Sequence, residues 1–215
     1  MSKVLRVERG QTYEISDNQR RYLAEVEAAH KDLVSFRILE PLDSPLETCR
    51  VTLAMALVKF DRFEFVLEKA TELGVHTVQP FWCDRTEQGL EKAAGKRLER
   101  WRKIVLESAQ QCRRTFLPVV AEPVAFAAAL RWEAEARYFL DEASAGGVFA
   151  PVAPASAVLM VGPEGGWTDR ERALAAAWTS ASLGPRILRA ETAAMAALAV
   201  LSLRSTKLQR QNENA

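Results

Sequence analysis

The run Leu159-Met160-Val161-Gly162-Pro163-Glu164-Gly165-Gly166-Trp167 constrains this chain more than any other stretch. Ala157 to Val161 is short and continuously apolar, which suits a strand buried on both faces of a parallel sheet. The strand stops at a Gly-Pro turn with three glycines in five positions. Glycine tolerates positive φ and lets another group come close to the backbone, so such a turn can present bare N–H groups to a ligand. Behind it, Thr168 and Glu171 have the spacing of a capping box, and an apolar stretch from Ala173 to Trp178 predicts a helix. A strand, a glycine turn and a helix N-terminus together predict a ligand-binding corner.

A second segment, Leu183-Gly184-Pro185-Arg186-Ile187-Leu188-Arg189-Ala190-Glu191-Thr192-Ala193-Ala194, repeats the pattern of an apolar strand stopped by Gly-Pro. Its turn carries Arg186, Arg189 and Glu191 ahead of a helix that is apolar from Ala193 through Leu201. Nine apolar residues in a row predict a buried helix, and five alanines and Met195 among the first seven permit close packing against backbone or a partner helix. A charged turn leading into a buried helix is expected beside the first corner. Neither segment matches a phosphate-gripping P-loop or GxGxxG, which argues against nucleotide phosphates as the ligand.

Composition bounds the alternatives. The chain has 215 residues, 48% hydrophobic and 27% charged, as in an ordinary globular protein of one large domain or one domain with an appendage. The net charge of +1 gives no global field for nucleic acid, but Arg85 to Arg114 holds nine Lys or Arg against four Glu. Cys49, Cys83 and Cys112 are far apart and lack a CxxC pair, and His30 and His76 are the only histidines. That pattern argues against a zinc site or a disulfide framework and predicts a reducing cytosol. The first thirty residues are too charged for a signal peptide, and no apolar run reaches the roughly 18 residues of a membrane span. A cytoplasmic protein is expected.

Taken in order, Gln11 to Ile15, Tyr22 to Val26 and Leu33 to Leu39 alternate in character and are separated by turns at Asp17-Asn18 and His30-Lys31-Asp32, which predicts a small antiparallel β unit. Pro41 to Pro45 reads as a linker. Val51 to Val58 is a further strand, followed by a helix with Phe63, Val66, Leu67, Ala70 and Leu73 on one face and Gly74 as its stop. Val75 to Trp82 is the next strand, so the chain has entered β-α-β order, which favours a parallel sheet. A helix is expected from about Leu90 to Arg114, with Leu98, Trp101, Val105, Ser108 and Cys112 on its packing face. Arg97, Arg100, Lys103, Glu107, Gln111 and Arg114 form its opposite stripe. Pro118 to Ala121 and Tyr138 to Asp141 read as strands with Phe126 to Trp132 helical between them, Ala143 to Ala155 as a loop, and the tail after Arg204 as frayed. Trp82 and Trp101 read as core residues, His30 and His76 as bystanders.

The paired segments GPEGGW and LGPRILRAETAA resemble the signature of the RsmE-type methyltransferases, and Glu68 to Val75 is similar to that family as well. The resemblance implies methylation of N3 of a uridine in small-subunit (16S) ribosomal RNA, with the assembled 30S subunit as substrate. It also implies a SPOUT-class fold: an α/β parallel sheet with a C-terminal trefoil knot, over residues 47–215, that binds S-adenosylmethionine as a homodimer. A trefoil knot lies outside the usual rules of chain topology, so it is implied by resemblance alone. The family begins with a PUA-like β barrel that binds RNA. Here residues 1–46 form the shortened counterpart, with Lys3 to Arg6 and Gly10 in its middle and roughly its first two strands unaccounted for.

Carried over residue by residue, the resemblance implies a cofactor site made of Leu140, Glu142, Gly162, Pro163, Glu164, Gly165, Gly166, Leu183, Gly184, Ile187, Leu188, Arg189, Thr192 and Ala193. In it, Leu183, Ile187 and Leu188 form an apolar slot for adenine. Methyl transfer to a ring nitrogen is an in-line displacement that needs near-attack geometry, and the N3 proton must be removed. A carboxylate suits the proton and a guanidinium suits the anion left on the pyrimidine oxygens. Glu164 or Glu191 is the candidate base and Arg189 the stabiliser. Glu191 can equally be read as a helix-start carboxylate favoured by the dipole, with Arg189 as its ion-pair partner.

Lys59, Arg62, Lys69, Arg85, Gln111 and Arg114 match family positions implied to bind RNA, through phosphate contacts that carry affinity without sequence information. Two other readings stay open: a non-catalytic RNA-binding protein that keeps the knot as a scaffold, and a SPOUT methyltransferase acting on another RNA.

Overall fold

The computed structural model describes residues 7–31, 33–43, 49–143, 149 and 154–212. Lys3 to Arg6, the turn residue Asp32, the end of the expected linker with the boundary at Leu46, and most of the Ala143 to Ala155 loop lie outside the described residues. The chain divides into two compact units, Met1–Leu46 with Arg113–Leu117, and Glu47–Cys112 with Pro118–Ala215.

The first unit is an antiparallel sheet of β1 (Thr12–Ser16), β2 (Arg21–Ala29) and β3 (Val34–Leu42) in that order. Asn18 sits in the β1–β2 turn at φ 72°, a conformation asparagine tolerates better than most residues, and Asp17 Oδ1 accepts the amides of Gln19 and Arg20. Arg113–Leu117 belongs to this unit: the Ser16 hydroxyl donates to the Thr115 carbonyl at 2.5 Å and the Leu117 amide to Asn18 Oδ1 at 2.6 Å.

The second unit is built on a sheet of order β10-β8-β9-β4-β5-β6, with β7 also on β5, in which every recorded pairing is parallel. Its strands are β4 (Arg50–Ala56), β5 (Thr77–Trp82), β6 (Val119–Val120), β7 (Val124–Ala125), β8 (Ala136–Leu140), β9 (Ser156–Val161) and β10 (Thr179–Ala181). The helices are α1 (Phe60–Glu72), α2 (Leu90–Ala94), α3 (Leu98–Gln111), α4 (Phe126–Ala129), α5 (Asp169–Leu174) and α6 (Ala190–Asn212).

The strand β9 is central, in register with β4 at Leu53↔Leu159 and with β8 at Tyr138↔Leu159. Both its faces are covered. Leu159 and Val161 pack in a cluster with Phe63 of α1, Trp101 of α3 and Leu198 of α6, while Val158 and Met160 pack with Phe81, Phe126, Trp167 and Trp178. That two-sided burial is why the Ala157 to Val161 run is apolar without alternation.

Several elements differ from the sequence reading. The Leu90 to Arg114 helix is broken by a 3₁₀ turn over Gly95–Arg97 and ends at Gln111, because Arg113 takes φ 55° and turns the chain away. Arg114 is therefore not on that helix. Its packing face is Leu98, Trp101, Val105, Ser108 and Ala109, with Cys112 only half-buried. The strand expected up to Leu183 stops at Ala181, level with the end of β8. The apolar stretch Ala173 to Trp178 is helical only to Leu174, and α4 ends at Ala129 rather than Trp132. The tail after Arg204 remains helical to Asn212.

Candidate active site

Three strands end level with one another. Leu140 of β8 is in register with Val161 of β9 and with Ala181 of β10, and all three residues line one cavity of about 540 Å³. Its size lies within the roughly 300–1,000 Å³ of small-molecule sites, and its place beyond the carboxyl ends of parallel strands is where open α/β sheets bind ligands. One wall is the Gly162–Trp167 turn; the other is the irregular segment after β10 and the first turn of α6.

The glycine turn is held by contacts that leave little room for other residues. The Gly166 amide donates to the Pro163 carbonyl at 2.9 Å, closing a tight turn with Gly166 at φ 70°. A Cβ on Gly166 would lie 2.9 Å from Glu142 Oε1, and one on Gly162 would lie 2.7 Å from Trp167 Cε2. Trp167 is buried beneath the turn, stacked on Phe139 with ring centroids 4.3 Å apart, and its indole N–H donates to the Leu140 carbonyl at 2.8 Å. On the outer side, Arg85 donates to the Gly165 carbonyl at 2.7 Å, and on the cavity side Arg62 pairs with Glu164.

The helix end behind the turn does not line the cavity, although the turn ahead of it does. Its capping box is complete: Thr168 Oγ1 accepts the Glu171 amide and the Glu171 carboxylate takes the Thr168 amide. The same carboxylate, with Glu171 only 2% exposed, also takes the amide of Asp84 at 2.9 Å. The cap thus ties α5 to the loop after β5 instead of facing the cavity.

The sequence reading missed one pair at the site. Arg172 of α5 donates to both oxygens of Asp141, at 2.8 and 3.1 Å, and to the Trp167 carbonyl at 3.0 Å. Burial opposes the Asp141 charge, yet the Arg172 hydrogen bonds and the Ala143 amide outweigh it and hold the carboxyl below its ordinary range; the same bonds raise the Arg172 pKa. The signal available in sequence was an acidic residue directly after a buried strand. Nearby, burial pushes the Cys83 thiol up to about 11, so it is no thiolate nucleophile at neutral pH.

Of the cofactor candidates, all but Thr192 line the cavity; Thr192 is exposed on α6. Ile187 lines it at 84% exposure, so the expected slot of Leu183, Ile187 and Leu188 is open to solvent on that side in the single chain. Of the catalytic candidates, Glu164 and Arg189 line the cavity and Glu191 does not. The Glu191 side chain is 12% exposed, its Oε1 lies 4.0 Å from the Arg189 guanidinium, and its Oε2 is buried without a hydrogen-bond partner among the described residues.

The RNA candidates are dispersed. Only Arg62 lines the cavity. Lys59 is exposed ahead of α1, Lys69 is paired with Glu68 and Glu72, Gln111 is exposed at the end of α3, and Arg114 belongs to the first unit. Two members of the expected stripe are engaged within the second unit: Arg97 and Arg100 both pair with Glu64, Arg100 through two hydrogen bonds of 2.8 and 2.7 Å.

Comparison with known proteins agrees with this geometry. Residues 45–202 match the RNA methyltransferase domain family. Ribosomal RNA small subunit methyltransferase E of Synechocystis sp. is 37% identical over 219 residues, which cover 94% of this chain and 69% of that protein. Among solved structures, a Legionella pneumophila methyltransferase in complex with the cofactor SAM shares 29% identity at a TM-score of 0.82, covering 94% of this chain and 86% of the other. A Neisseria gonorrhoeae ribosomal RNA small subunit methyltransferase E bound to S-adenosyl methionine shares 31% identity at a TM-score of 0.78, with the same coverage of 94% and 86%. Family match, identity and superposition span the same sheet, glycine turn and cavity, and the chain belongs to the ribosomal RNA small subunit methyltransferase E family.

Proposed function

We propose that this protein is an S-adenosylmethionine-dependent methyltransferase that methylates N3 of a uridine in 16S ribosomal RNA, acting on the assembled 30S subunit. The observation that carries the reading is the cavity at the ends of β8, β9 and β10, whose two walls are the two segments that carry the family signature. The walls fit the cofactor: Gly162, Gly165 and Gly166 leave peptide edges uncovered by side chains, and Glu142 stands beside them. Bound there, S-adenosylmethionine supplies an electrophilic methyl group on a sulfonium.

The chain's own residues would then hold the uracil in line and deal with its proton. Arg189, 72% exposed at the cavity, suits the anion that develops on the pyrimidine oxygens. Glu164 lines the cavity but is engaged by Arg62. Glu191 stands directly after the cavity-lining Ala190 and keeps a buried oxygen without a hydrogen-bond partner among the described residues, an arrangement that calls for a functional explanation. That supports Glu191 over Glu164 as proton acceptor.

The finer reading of the family extends to the remaining parts. The second unit is proposed as a SPOUT domain with a trefoil knot, and residues 1–46 as a PUA-like module that contacts RNA. A homodimer is supported by the small-residue face of α6, where Ala193, Ala196 and Ala199 are only partly buried in the single chain. Among the described residues no helix is long and apolar enough to cross a membrane, which is compatible with action on ribosomal subunits in the cytoplasm.

The test is to incubate the protein with S-adenosylmethionine and small subunits lacking the modification, digest the RNA and search for 3-methyluridine by mass spectrometry. Its appearance is expected. Cofactor binding without any methylated nucleoside would favour the non-catalytic reading, and a product found only in another RNA would favour the other methyltransferase.

A further inference from the structure

We propose that Arg85 is a positioning residue of the cofactor turn, holding the tip at Gly165 from outside the cavity; this rests on reading that turn as part of the S-adenosylmethionine site. Arg85 follows β5 in an exposed loop, and by sequence it falls among the basic residues expected to meet RNA. Its guanidinium instead donates to the Gly165 carbonyl at 2.7 Å, across 80 residues of sequence. The approach is close enough that a Cβ on Gly165 would stand 3.2 Å from the Arg85 Cβ, so glycine at 165 and the stem of Arg85 occupy complementary space.

The loop carrying Arg85 is itself anchored. The Asp84 amide donates to the buried Glu171 carboxylate at 2.9 Å, and Thr168 Oγ1 lies 3.2 Å from Asp84 Oδ2. Within the loop, the Cys83 amide donates to Thr86 Oγ1 at 2.9 Å. Arg85 therefore acts from a fixed base that is locked to the cap of α5, the helix that follows the turn.

Gly165 and Gly166 have no side chains to order them, and their freedom must be lost when a ligand settles on their peptide groups. In this structure each residue at the tip is held by a different partner: Glu164 by Arg62, the Gly165 carbonyl by Arg85, and the Gly166 amide by Pro163. Fixing those peptides beforehand improves affinity by lowering the ordering cost on binding. Arg85 does not line the cavity, so its influence on the cofactor passes through Gly165. A guanidinium has five N–H donors, so one carbonyl does not exhaust it for RNA.

The experiment is calorimetric titration of the full chain with S-adenosylmethionine in the absence of RNA, for wild type, R85A, R85M and R85K. R85M keeps the apolar stem against Gly165 and removes the donor, and it carries the test if R85A fails to fold. Loss of one charge-assisted hydrogen bond predicts a Kd raised about ten-fold in R85A and R85M, partial recovery in R85K, and an unfolding midpoint for R85M equal to wild type. Cofactor affinity unchanged in R85A and R85M, with only RNA binding and its salt dependence reduced, would overturn the inference and leave Arg85 as a phosphate contact. A wild-type chain that takes up no S-adenosylmethionine would overturn the cofactor reading itself, and the inference with it.

Discussion

The indole N–H of Trp167 donates to the carbonyl of Leu140 at 2.8 Å, joining the base of the glycine turn to the end of the neighbouring strand. The bond is buried, and Trp167 also packs against Phe81, Phe126 and Phe139. Trp167→Phe keeps an aromatic ring but leaves the Leu140 carbonyl without its partner and a void where the second ring was. The expected destabilisation is about 2–3 kcal/mol, the sum of an unmade buried hydrogen bond and a partial cavity, measured by urea unfolding.

Two glycines of the turn should respond differently to alanine. At Gly166 the obstacle is φ 70° together with a Glu142 carboxylate that can swing away, so Gly166→Ala should cost about 1 kcal/mol, mostly backbone strain. At Gly162 the added methyl meets Cε2 and Cζ2 of a ring wedged in the core, at 2.7 and 2.9 Å. Gly162→Ala should cost about 2–3 kcal/mol by overpacking and displace Trp167. Near-ultraviolet circular dichroism together with unfolding separates the two; equal costs would mean the tryptophan is not the rigid partner.

The Asp141–Arg172 pair predicts a pH dependence. The folded-state pKa of Asp141 is depressed, so its contribution is fully present above the unfolded value of about 3.9 and is lost as pH falls through the folded value. Asp141→Asn leaves Arg172 with only its 3.4 Å ion pair to exposed Asp169 among the described residues and should cost about 3 kcal/mol at pH 7, the low end for a buried pair, because the Arg172 side chain keeps 31% exposure. The gap between wild type and Asp141→Asn should shrink as pH drops below about 4. A gap constant from pH 7 to pH 3 would show that the charge of Asp141 contributes nothing.

What could be read from the sequence was whatever is carried by continuous local pattern. The apolar run before Gly162 marks β9, and the Thr168–Glu171 spacing marks a cap that is present with both of its hydrogen bonds. The strands β7 and β10, with two and three residues, are shorter than any periodicity can reveal. Alanine and leucine before Gly184 look like strand, but β10 ends where its partner β8 ends, a limit set by tertiary pairing. The Leu90 to Arg114 pattern hid a break at Gly95 because the residues on either side favour helix. The Lys and Gln in the tail after Arg204 favour helix as well, so its polarity did not mean fraying. The partnerships of Arg85 with Gly165 and Arg100 with Glu64, 80 and 36 residues apart, have no local signature. Basic residues therefore looked uniformly available to RNA when several are engaged in the fold.

That distinction sorts the RNA candidates. Lys59 is exposed at the start of α1 and lies on no wall of the cavity. Lys59→Ala should weaken RNA binding and lower the slope of log K against log salt by about 1, as expected for one phosphate contact, with cofactor affinity unchanged. Arg100→Ala, which breaks a double hydrogen bond with Glu64, should leave that slope alone. Filter binding across a salt series checks both, and a slope change confined to Arg100→Ala would reverse the assignment.

The two roles of Glu191 can be told apart by chemistry. If its buried oxygen accepts the uracil proton, Glu191→Gln keeps shape and polarity but removes the base, and the single-turnover rate of methyl transfer should fall about 10²–10⁴-fold, the usual worth of a positioned acid or base. Cofactor affinity should hold, because Glu191 does not line the cavity. Arg189→Ala should slow transfer in the same assay by loss of anion stabilisation, by about 10²-fold. A helix-start carboxylate with an ion-pair partner would behave otherwise: both variants would lose about 1 kcal/mol of stability or less and transfer methyl groups at the wild-type rate. That result would return the search for the base to Glu164, whose test is the same substitution with Arg62 left in place.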